Sequence, residues 1–361
     1  MIAYFAVAIL APLLVHLSAQ IFGKETQIHE GSGNRLKWMA VSPFEIAALG
    51  TLVLFAGTRL NVGTDYDLYR RIYDSLWVHD WGWSIENSPQ EVGFTLLSLA
   101  VKTAGGDARH LFLVASALTV CCAYAAIRLA SPRPGLALAT FILFASYLAP
   151  FNTVRQGLAV ALFALAVVVV SRRWRVGLLL AILACLIHIS ALVALILYFT
   201  VSRLRVDRAG ILIGLAVAAA GSRVILAVPA LLSILRSLNE RYSEYVMSGT
   251  TAGLGTVLLA FFHAGAAMLL LKGSDWTSRE LSWVRFYALT GPLAMLGTSV
   301  PIATRLSEYT AIFLPFLIGQ LVMSGRFKML TRPSLIVLVG AGYMAMYLLN
   351  YGGLLPYRTW L

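Results

Sequence analysis

Long apolar runs, separated by short polar connections, dominate the pattern of this chain. Four of the runs approach the roughly 20 residues that a membrane-spanning helix needs; they occupy residues 2–21, 111–130, 254–271 and 334–351. The first run is not followed by a cleavage-site pattern, so we interpret it as a transmembrane helix and not as a signal peptide. The pattern predicts an all-α, polytopic integral membrane protein.

The composition supports this fold class. The 361 residues are 59% hydrophobic and 12% charged, whereas soluble domains carry about 25% charged residues. The net charge of +12 would favour nucleic-acid binding in a soluble protein, but the basic residues lie in the connections between apolar runs, where they set membrane orientation. We therefore exclude nucleic acid as a partner. Cys121, Cys122 and Cys185 lie inside apolar runs without metal-ligand spacing.

The basic residues fall into six clusters, and the positive-inside rule places these connections in the cytoplasm. The clusters are Lys24, Arg35 and Lys37; Arg128 and Arg133; Arg172, Arg173 and Arg175; Arg203, Arg205 and Arg208; Lys272, Arg279 and Arg285; and Arg326, Lys328 and Arg332. The external side then holds residues 59–110, with an interfacial or re-entrant helix, and two further loops at 236–252 and 301–307. Residues 1–361 form a single domain in this interpretation.

This topology makes two demands on helix length. Residues 91–104 would span only about 21 Å as a helix, so they must lie in the interface or re-enter the membrane without crossing it. Residues 176–201 must form two short helices in a hairpin, with His188 near the external tip. A single long, tilted helix is the alternative for 176–201, and it would reverse every later loop.

Five polar motifs lie in or beside the predicted external segments. In chain order they are Gly-Thr-Asp-Tyr-x-x-Tyr at 63–69, Glu91 at the start of a short apolar segment, Asn-x-x-Arg-Gln at 152–156, His188-x-Ser190-Ala191, and Arg305-x-x-x-Tyr309. This ordered set resembles the EpsG group of Wzy-like exopolysaccharide and O-antigen polymerases, and the similarity runs from about residue 44 to residue 357.

The resemblance implies a glycosyltransferase of the bacterial inner membrane, with a GT-C-like bundle of about 12 transmembrane or half-spanning helices. Such an enzyme joins undecaprenyl-diphosphate-linked oligosaccharide repeats at the periplasmic face and releases undecaprenyl diphosphate. The implied partners are the lipid-linked donor and acceptor and membrane lipid, together with a chain-length regulator and a flippase.

The residues themselves can be tested against this chemistry. Transfer from a lipid diphosphate needs cations that hold the departing diphosphate and a base near the acceptor hydroxyl. The sequence contains no P-loop or Rossmann glycine pattern, which predicts that no nucleotide cofactor is used. Arg155 is the main anion-binding candidate because it stands between two apolar runs, with Asn152 and Gln156 as neighbouring donors. The alternative is an arginine that snorkels and anchors a helix end.

The pattern Arg-x-Ser-Glu-Tyr occurs twice, once from Arg241 to Tyr245 and once from Arg305 to Tyr309. On a helix, the arginine and tyrosine of each copy share a face and could bind a diphosphate or a sugar. The alternative is an internal Arg–Glu pair with an interfacial tyrosine. The resemblance favours a functional role for Arg305, whereas the role of Arg241 is open.

Asp65-Tyr66-Asp67 has the form of an Asp-x-Asp metal motif. However, Thr64 followed by Asp67 predicts a capping box, and residues two apart on the resulting helix point in different directions. This geometry argues against one metal held by both carboxylates, whereas a non-helical loop would reopen the question. We retain Asp65 as a candidate base or sugar ligand. Tyr66 and Tyr69 belong to an aromatic stripe that could contact sugars or line the membrane interface.

His188 is the other candidate base, because its ordinary pKa leaves it mostly neutral at neutral pH; a packing histidine is the alternative. Glu91 could orient a sugar, help to activate the acceptor, cap the following helix or pair with an arginine. Three tryptophans nearby could stack on sugars, although interface anchoring is the favoured interpretation; they are Trp77, Trp81 and Trp83.

Two other functions compete with a polymerase. A ligase or another transferase would use the same lipid-linked sugar, whereas a transporter or flippase would move it without covalent change. Transport favours two similar halves around a central path, and no such repeat is evident in the sequence. The transferase interpretation is therefore preferred.

Overall fold

A computed structural model describes residues 1–22, 41–227, 254–273, 276–325 and 332–361. Regular structure in these ranges is helical, apart from an isolated antiparallel bridge between Arg59 and Thr359. The helices, numbered along the described chain, are α1 (Ile2–Ile21), α2 (Pro43–Gly57), α3 (Tyr66–Ser75), α4 (Trp81–Asn87), α5 (Val92–Thr103), α6 (Ala108–Ala130), α7 (Pro134–Leu143), α8 (Val154–Val169), α9 (Trp174–Ile187), α10 (Ser190–Val201), α11 (Arg208–Ala227), α12 (Leu254–Gly273), α13 (Ser278–Tyr287), α14 (Thr290–Leu296), α15 (Pro301–Ala311), α16 (Leu314–Met323) and α17 (Pro333–Asn350).

Local sequence signals explain many of the helix starts. Ser42, Asp107 and Thr277 cap α2, α6 and α13, and in each case the third residue of the helix bonds back to the backbone of the capping residue. These reciprocal bonds satisfy backbone N–H groups that the first helical turn leaves unpaired. Proline occupies the start of α2, α7, α15 and α17, where its fixed φ suits the helix and its missing N–H is not needed.

Among the described residues, five helical segments are long and apolar enough to cross a membrane. They are Ile2–Ile21, Ala108–Ala130, Leu254–Lys272, Ile302–Met323 and Pro333–Asn350. Shorter apolar helices of 10–17 residues accompany them: α2, α5, α7, α8, α9 and α10. This confirms the prediction of a helical, polytopic membrane protein.

The structure confirms both predicted short helices. The segment after Glu91 forms α5, whose 12 residues extend about 18 Å and cannot cross a bilayer core of about 30 Å. The 176–201 region is divided into α9 and α10, and the break lies at His188, where the backbone is extended (φ −156°, ψ 121°). The hairpin, and the side of the membrane on which His188 lies, stay predictions.

Two expected external loops have different outcomes. Residues 301–307 form the first part of α15, so this segment is helical, and its external location stays a prediction. Pro301 occupies the first position of the helix, where its fixed φ suits a helix start. The 236–252 segment lies outside the described residues.

The described chain comprises two compact units. The first contains Met1–Leu192 and Leu314–Leu361, and the second contains Val193–Phe313. In the first unit, α6 packs on α2 and α8, α8 packs on α9, and α1 packs on α2 and α7. Its core includes large, fully buried aromatic side chains: Tyr4, Phe94, Phe112, Phe151 and Phe163.

The second unit is organised around α14, which packs against α11, α12 and α15. Buried polar pairs connect its helices. The His263 ring nitrogen Nδ1 lies 2.9 Å from the Tyr287 hydroxyl, and the Thr290 hydroxyl donates to that of Thr310 at 2.8 Å. Such pairs satisfy polar groups that burial would otherwise leave without partners.

A close crossing of α5 and α9 shapes the region around Glu91. A Cβ added to Gly93 would lie 2.7 Å from the backbone oxygen of Leu186. Any side chain at position 93 would therefore push α5 away from α9. Because Gly93 is two residues after Glu91 and Leu186 is two residues before His188, this crossing brings Glu91 close to His188.

We expect Gly93→Ala to lower the thermal midpoint of the purified protein, because overpacking of this kind costs about 1–3 kcal/mol. Gly50→Ala is the matched control, since a Cβ at this α2 position meets nothing within 4 Å. Alanine there should be neutral or stabilise the helix by up to about 1 kcal/mol. Equal thermal midpoints for the two variants in the same detergent would contradict the importance of this crossing.

Candidate active site

The Glu91 carboxylate is the centre of the candidate site. Glu91 is the N-cap residue of α5, but its side chain does not cap that helix. Instead, one oxygen, Oε2, accepts a hydrogen bond from Nη1 of Arg155, while the other, Oε1, lies 2.5 Å from Nδ1 of His188. The backbone N–H of Ile189 also donates to Oε1, at 3.4 Å. Of the roles that the sequence left open for Glu91, the structure supports pairing with an arginine.

Three separate elements supply this cluster. Arg155 is the second residue of α8 and lies 64 positions after Glu91, whereas His188 follows the last turn of α9 and lies 97 positions after it. The break after α9 matters for the geometry. It ends the helix at Ile187 and leaves His188 in an extended conformation, with its ring on the carboxylate.

The contact with Glu91 indicates which nitrogen of the His188 ring carries the hydrogen that faces the carboxylate. An ionised carboxylate can only accept hydrogen bonds, so the hydrogen in this contact is carried by Nδ1 of His188. In neutral histidine the other nitrogen, Nε2, then has a free lone pair and can accept a proton. Glu91 therefore orients the ring and would stabilise the positive charge that His188 gains on protonation.

The environment of Glu91 strongly favours its charged form. Burial alone would raise the pKa of Glu91, but the hydrogen bond from His188 and the positive charge of Arg155 outweigh burial and lower that pKa to about 2. The Glu91 side chain is 22% exposed, against 16% for Arg155 and 12% for His188. The cluster is thus shielded from bulk solvent without being sealed, and its carboxylate is ionised at neutral pH.

Arg155 has donor capacity beyond its bond to Glu91. Its guanidinium carbon lies 5.9 Å from the centre of the Tyr69 ring, and its backbone N–H donates to the Tyr69 hydroxyl at 3.4 Å. Within the described chain, its buried Nε has no hydrogen-bond partner. A buried donor without a partner is costly, so an anionic ligand that reaches Nε would relieve this cost.

Asp65, Thr64 and Asn152 form a second polar group beside the same elements. The Asn152 amide oxygen accepts from the Thr64 backbone N–H at 2.8 Å, and the Thr64 hydroxyl donates to Asp65 at 3.2 Å. The capping box predicted from Thr64 is wrong, because α3 starts one residue later with Asp65 as its N-cap. The reason is a long-range tertiary contact, in which the Asn152 side chain binds the backbone N–H of Thr64. Asp65 remains partly exposed.

The remaining predicted site residues differ in their burial. Tyr66 is only 3% exposed and stacks on Phe112, so the structure places it in the core. Gln156 is also buried within α8. In the second compact unit, Tyr309 is fully buried in α15 and Arg305 is partly exposed. The Arg241–Tyr245 copy of the repeated pattern lies outside the described residues.

Asp67 lies outside the candidate site. Its carboxylate forms an exposed ion pair with Arg70 at 3.2 Å, one helical turn further along α3. Asp65 and Asp67 therefore occupy different environments although they are only two residues apart.

The C-terminal segment supports the loop that leads to Asp65. Gly353 accepts from the Gly63 backbone N–H at 3.2 Å, and the Tyr357 ring stacks on Phe55 with centroids 4.2 Å apart. Gly352 has φ +64°, and a Cβ there would lie 1.7 Å from the Asn152 amide nitrogen. Only glycine combines this backbone conformation with such close contact.

Arg59 is a residue that the sequence analysis missed. It is 2% exposed, and its guanidinium lies between the rings of Phe112 and Phe151, 4.9 Å from each centre. These cation–π contacts stabilise the start of the loop that ends at Asp65. A sequence signal did exist, because Arg59 directly follows an apolar run on the predicted external side, against the positive-inside rule.

Comparison with known proteins identifies the family of this chain. A family model described as the EpsG family matches residues 45–359. The chain belongs to the EpsG family. No curated protein and no solved structure gives a significant match.

Membership of the EpsG family confirms the resemblance noted in the sequence. It also indicates a Wzy-like, glycosyltransferase-like polymerase role in polysaccharide biosynthesis. The matched range includes Glu91, Arg155 and His188, so the cluster lies within the part of the chain that the family model matches.

We expect this EpsG-family protein to lose stability as the pH falls from about 4.5 to about 2. Because the pKa of Glu91 is lowered in the folded protein, the charged carboxylate stabilises the fold fully at pH values above the ordinary pKa of glutamate. This contribution to the free energy of unfolding is lost as the carboxylate takes up a proton. After allowance for solvent screening, the contribution is about 2 kcal/mol.

The measurement is the thermal midpoint of Glu91→Gln across this pH range, compared with that of a control variant, Glu86→Gln. Glu86 is an exposed carboxylate in the same region. Glu91→Gln should have the flatter pH dependence, since it lacks the titrating group. The same pH dependence in both variants would contradict the lowered pKa.

Proposed function

We propose that this protein is a polysaccharide polymerase that transfers a glycan from a lipid diphosphate to the next lipid-linked repeat. The observation that carries the proposal is the Glu91 carboxylate, bound at the same time by a cation, Arg155, and by a histidine, His188, in a chain of the EpsG family. A cation for the leaving group and a base for the acceptor are the two groups that this reaction needs.

Arg155 holds the departing diphosphate in this proposal. A guanidinium matches the spacing of phosphate oxygens and keeps its charge at all relevant pH values. The buried Nε of Arg155 lacks a hydrogen-bond partner in the described chain, so the guanidinium has donor capacity that its bond to Glu91 does not use. Because an arginine supplies the positive charge, the proposed step uses no metal.

His188 acts as the general base. The acceptor sugar hydroxyl gives its proton to Nε2 of His188, and the freed oxygen bonds to the anomeric carbon of the donor. The bond from that carbon to the diphosphate oxygen breaks at the same time, and the electron pair leaves with the diphosphate. Glu91 orients His188 and stabilises the imidazolium that forms.

The remaining candidates would bind substrate around this step. Asp65 and Asn152 lie in the second polar group and would contact a sugar, with Asp65 as the alternative base. Tyr69 borders Arg155. Arg305, Tyr309, Arg241 and Tyr245 stay proposed ligands of a diphosphate or sugar on the basis of their motif alone.

The family also suggests a cellular setting. The protein would lie in the bacterial inner membrane as a GT-C-like bundle of about 12 transmembrane or half-spanning helices, with its active side in the periplasm. Donor and acceptor would be undecaprenyl-diphosphate-linked oligosaccharides. A flippase would deliver them, and a chain-length regulator would act on the product.

We predict that Arg155→Ala slows elongation by at least about a hundredfold, the scale of losing a donor to a developing negative charge. Arg155→Lys should recover part of the rate, since it keeps the charge near Glu91 but loses the planar fork. The measurement is product length with purified protein and lipid-linked repeats. Arg70→Ala is the matched control, because Arg70 is exposed and pairs with Asp67.

The same assay separates polymerase from its rivals. A product ladder indicates a polymerase, single transfer to another acceptor indicates a ligase, and no covalent change indicates a transporter. Because Arg155→Ala leaves Glu91 with one fewer partner, its folding must be checked by size-exclusion chromatography. Ladders of normal length and rate from folded Arg155→Ala would overturn the role of Arg155.

A further inference from the structure

An exposed aromatic surface lies between α3 and α5, outside the Glu91 cluster. Three tryptophans there are 38–52% exposed, although tryptophan is among the side chains that gain most from burial; they are Trp77, Trp81 and Trp83. We call residues 77–87, which contain all three, the tryptophan loop.

Internal hydrogen bonds fix the backbone of the tryptophan loop. The hydroxyl of Ser84, which is 1% exposed, bonds both the N–H and the C=O of Trp77, at 2.7 and 3.0 Å. Asp80 accepts from the Trp83 N–H at 2.8 Å, and the Asn87 side chain donates to the Trp83 carbonyl at 2.9 Å. The exposed rings are therefore held on an ordered scaffold.

The Trp77 and Trp83 rings meet nearly at right angles, at 83°, with centres 6.3 Å apart. Polar side chains border them, and His79, Asp80, Glu86 and Asn87 are all exposed. Aromatic faces carry partial negative charge and attract the C–H groups of a sugar ring, while the neighbouring polar groups can bind its hydroxyls. This combination of flat apolar faces and hydrogen-bonding groups suits a carbohydrate.

Interfacial anchoring is the alternative for these tryptophans, but the charge of the loop gives it no support. Residues 77–87 contain two acidic side chains, Asp80 and Glu86, and no lysine or arginine. Segments that charge holds on a membrane surface are rich in lysine and arginine, so this loop has no such attraction to lipid headgroups.

The next basic residue along the chain does not offset this charge. Lys102 points its ammonium group at the end of α3, where it donates to the carbonyls of Tyr73, Asp74 and Leu76 at 2.7–3.0 Å. It thus stabilises the last turn of that helix and is not free to bind a lipid phosphate.

From these observations we infer that the tryptophan loop binds the glycan chain, through the faces of Trp77 and Trp83, at sugars beyond the reacting one. The acidic surroundings select sugars that are neutral or carry amino groups, and disfavour uronic acids. The inference rests on the proposed polymerase function. It adds a site that retains the chain between successive transfers.

The test uses full-length protein in nanodiscs and lipid-free oligosaccharides, released by partial acid hydrolysis from the polysaccharide of the source strain. Saturation-transfer NMR should detect binding to the wild type. Trp77→Ala/Trp83→Ala should weaken binding at least tenfold, whereas Trp77→Phe, which keeps an aromatic face, should retain most of it. Trp174→Ala is the matched control, because Trp174 is 62% exposed but lies next to Arg173 and Arg175.

Three results would overturn the inference. The first is an absence of binding to the wild type, and the second is equal binding to the wild type and to the double alanine variant. The third uses nanodiscs of brominated phosphatidylcholine, which quenches the fluorescence of tryptophans in lipid. If this quenching decreases as much in Trp77→Phe/Trp83→Phe as it does in Trp174→Phe, the loop lies in lipid. These measurements do not depend on elongation. A negative result would therefore overturn the glycan-binding inference alone, and the Arg155 experiment would still test the polymerase function.

Discussion

The partly buried ionic cluster at Glu91 is the interaction on which the proposed site depends. A carboxylate that is 22% exposed is stable in this setting only because a guanidinium and an imidazole compensate for the water it has lost. These partners come from α8 and from the end of α9, so the charge on Glu91 ties together elements that are distant in the chain. The same charge determines which nitrogen of His188 can act as a base.

The fold around the cluster meets this constraint through short and interrupted helices. α5 is too short to cross a membrane, α9 stops at His188, and α8 begins just before Arg155. Each interruption leaves polar backbone or side-chain groups at a helix end, where they remain available for ligands. The contact of Gly93 with the Leu186 backbone then sets the distance between two of these ends.

Much of this arrangement can be predicted from the sequence, because it depends on local patterns. Apolar runs and prolines mark the helices, and the distribution of basic clusters favours a break near His188 over one long, tilted helix across 176–201. The pairing of Glu91 cannot be predicted, since its partners lie 64 and 97 residues away and nothing local distinguishes capping from ion pairing. The same limit explains the wrong capping box at Thr64, where the long-range contact with Asn152 decides the conformation.

The central claim is that Glu91 and His188 act as one catalytic unit, and a double-mutant cycle on the initial elongation rate tests it most directly. Glu91→Gln, His188→Gln and the double variant would be compared with the wild type in proteoliposomes containing lipid-linked repeats. Groups that act as a unit give strongly non-additive effects. The account predicts that the double variant is no slower than the slower single variant; a rate loss equal to the product of the two single losses would contradict it.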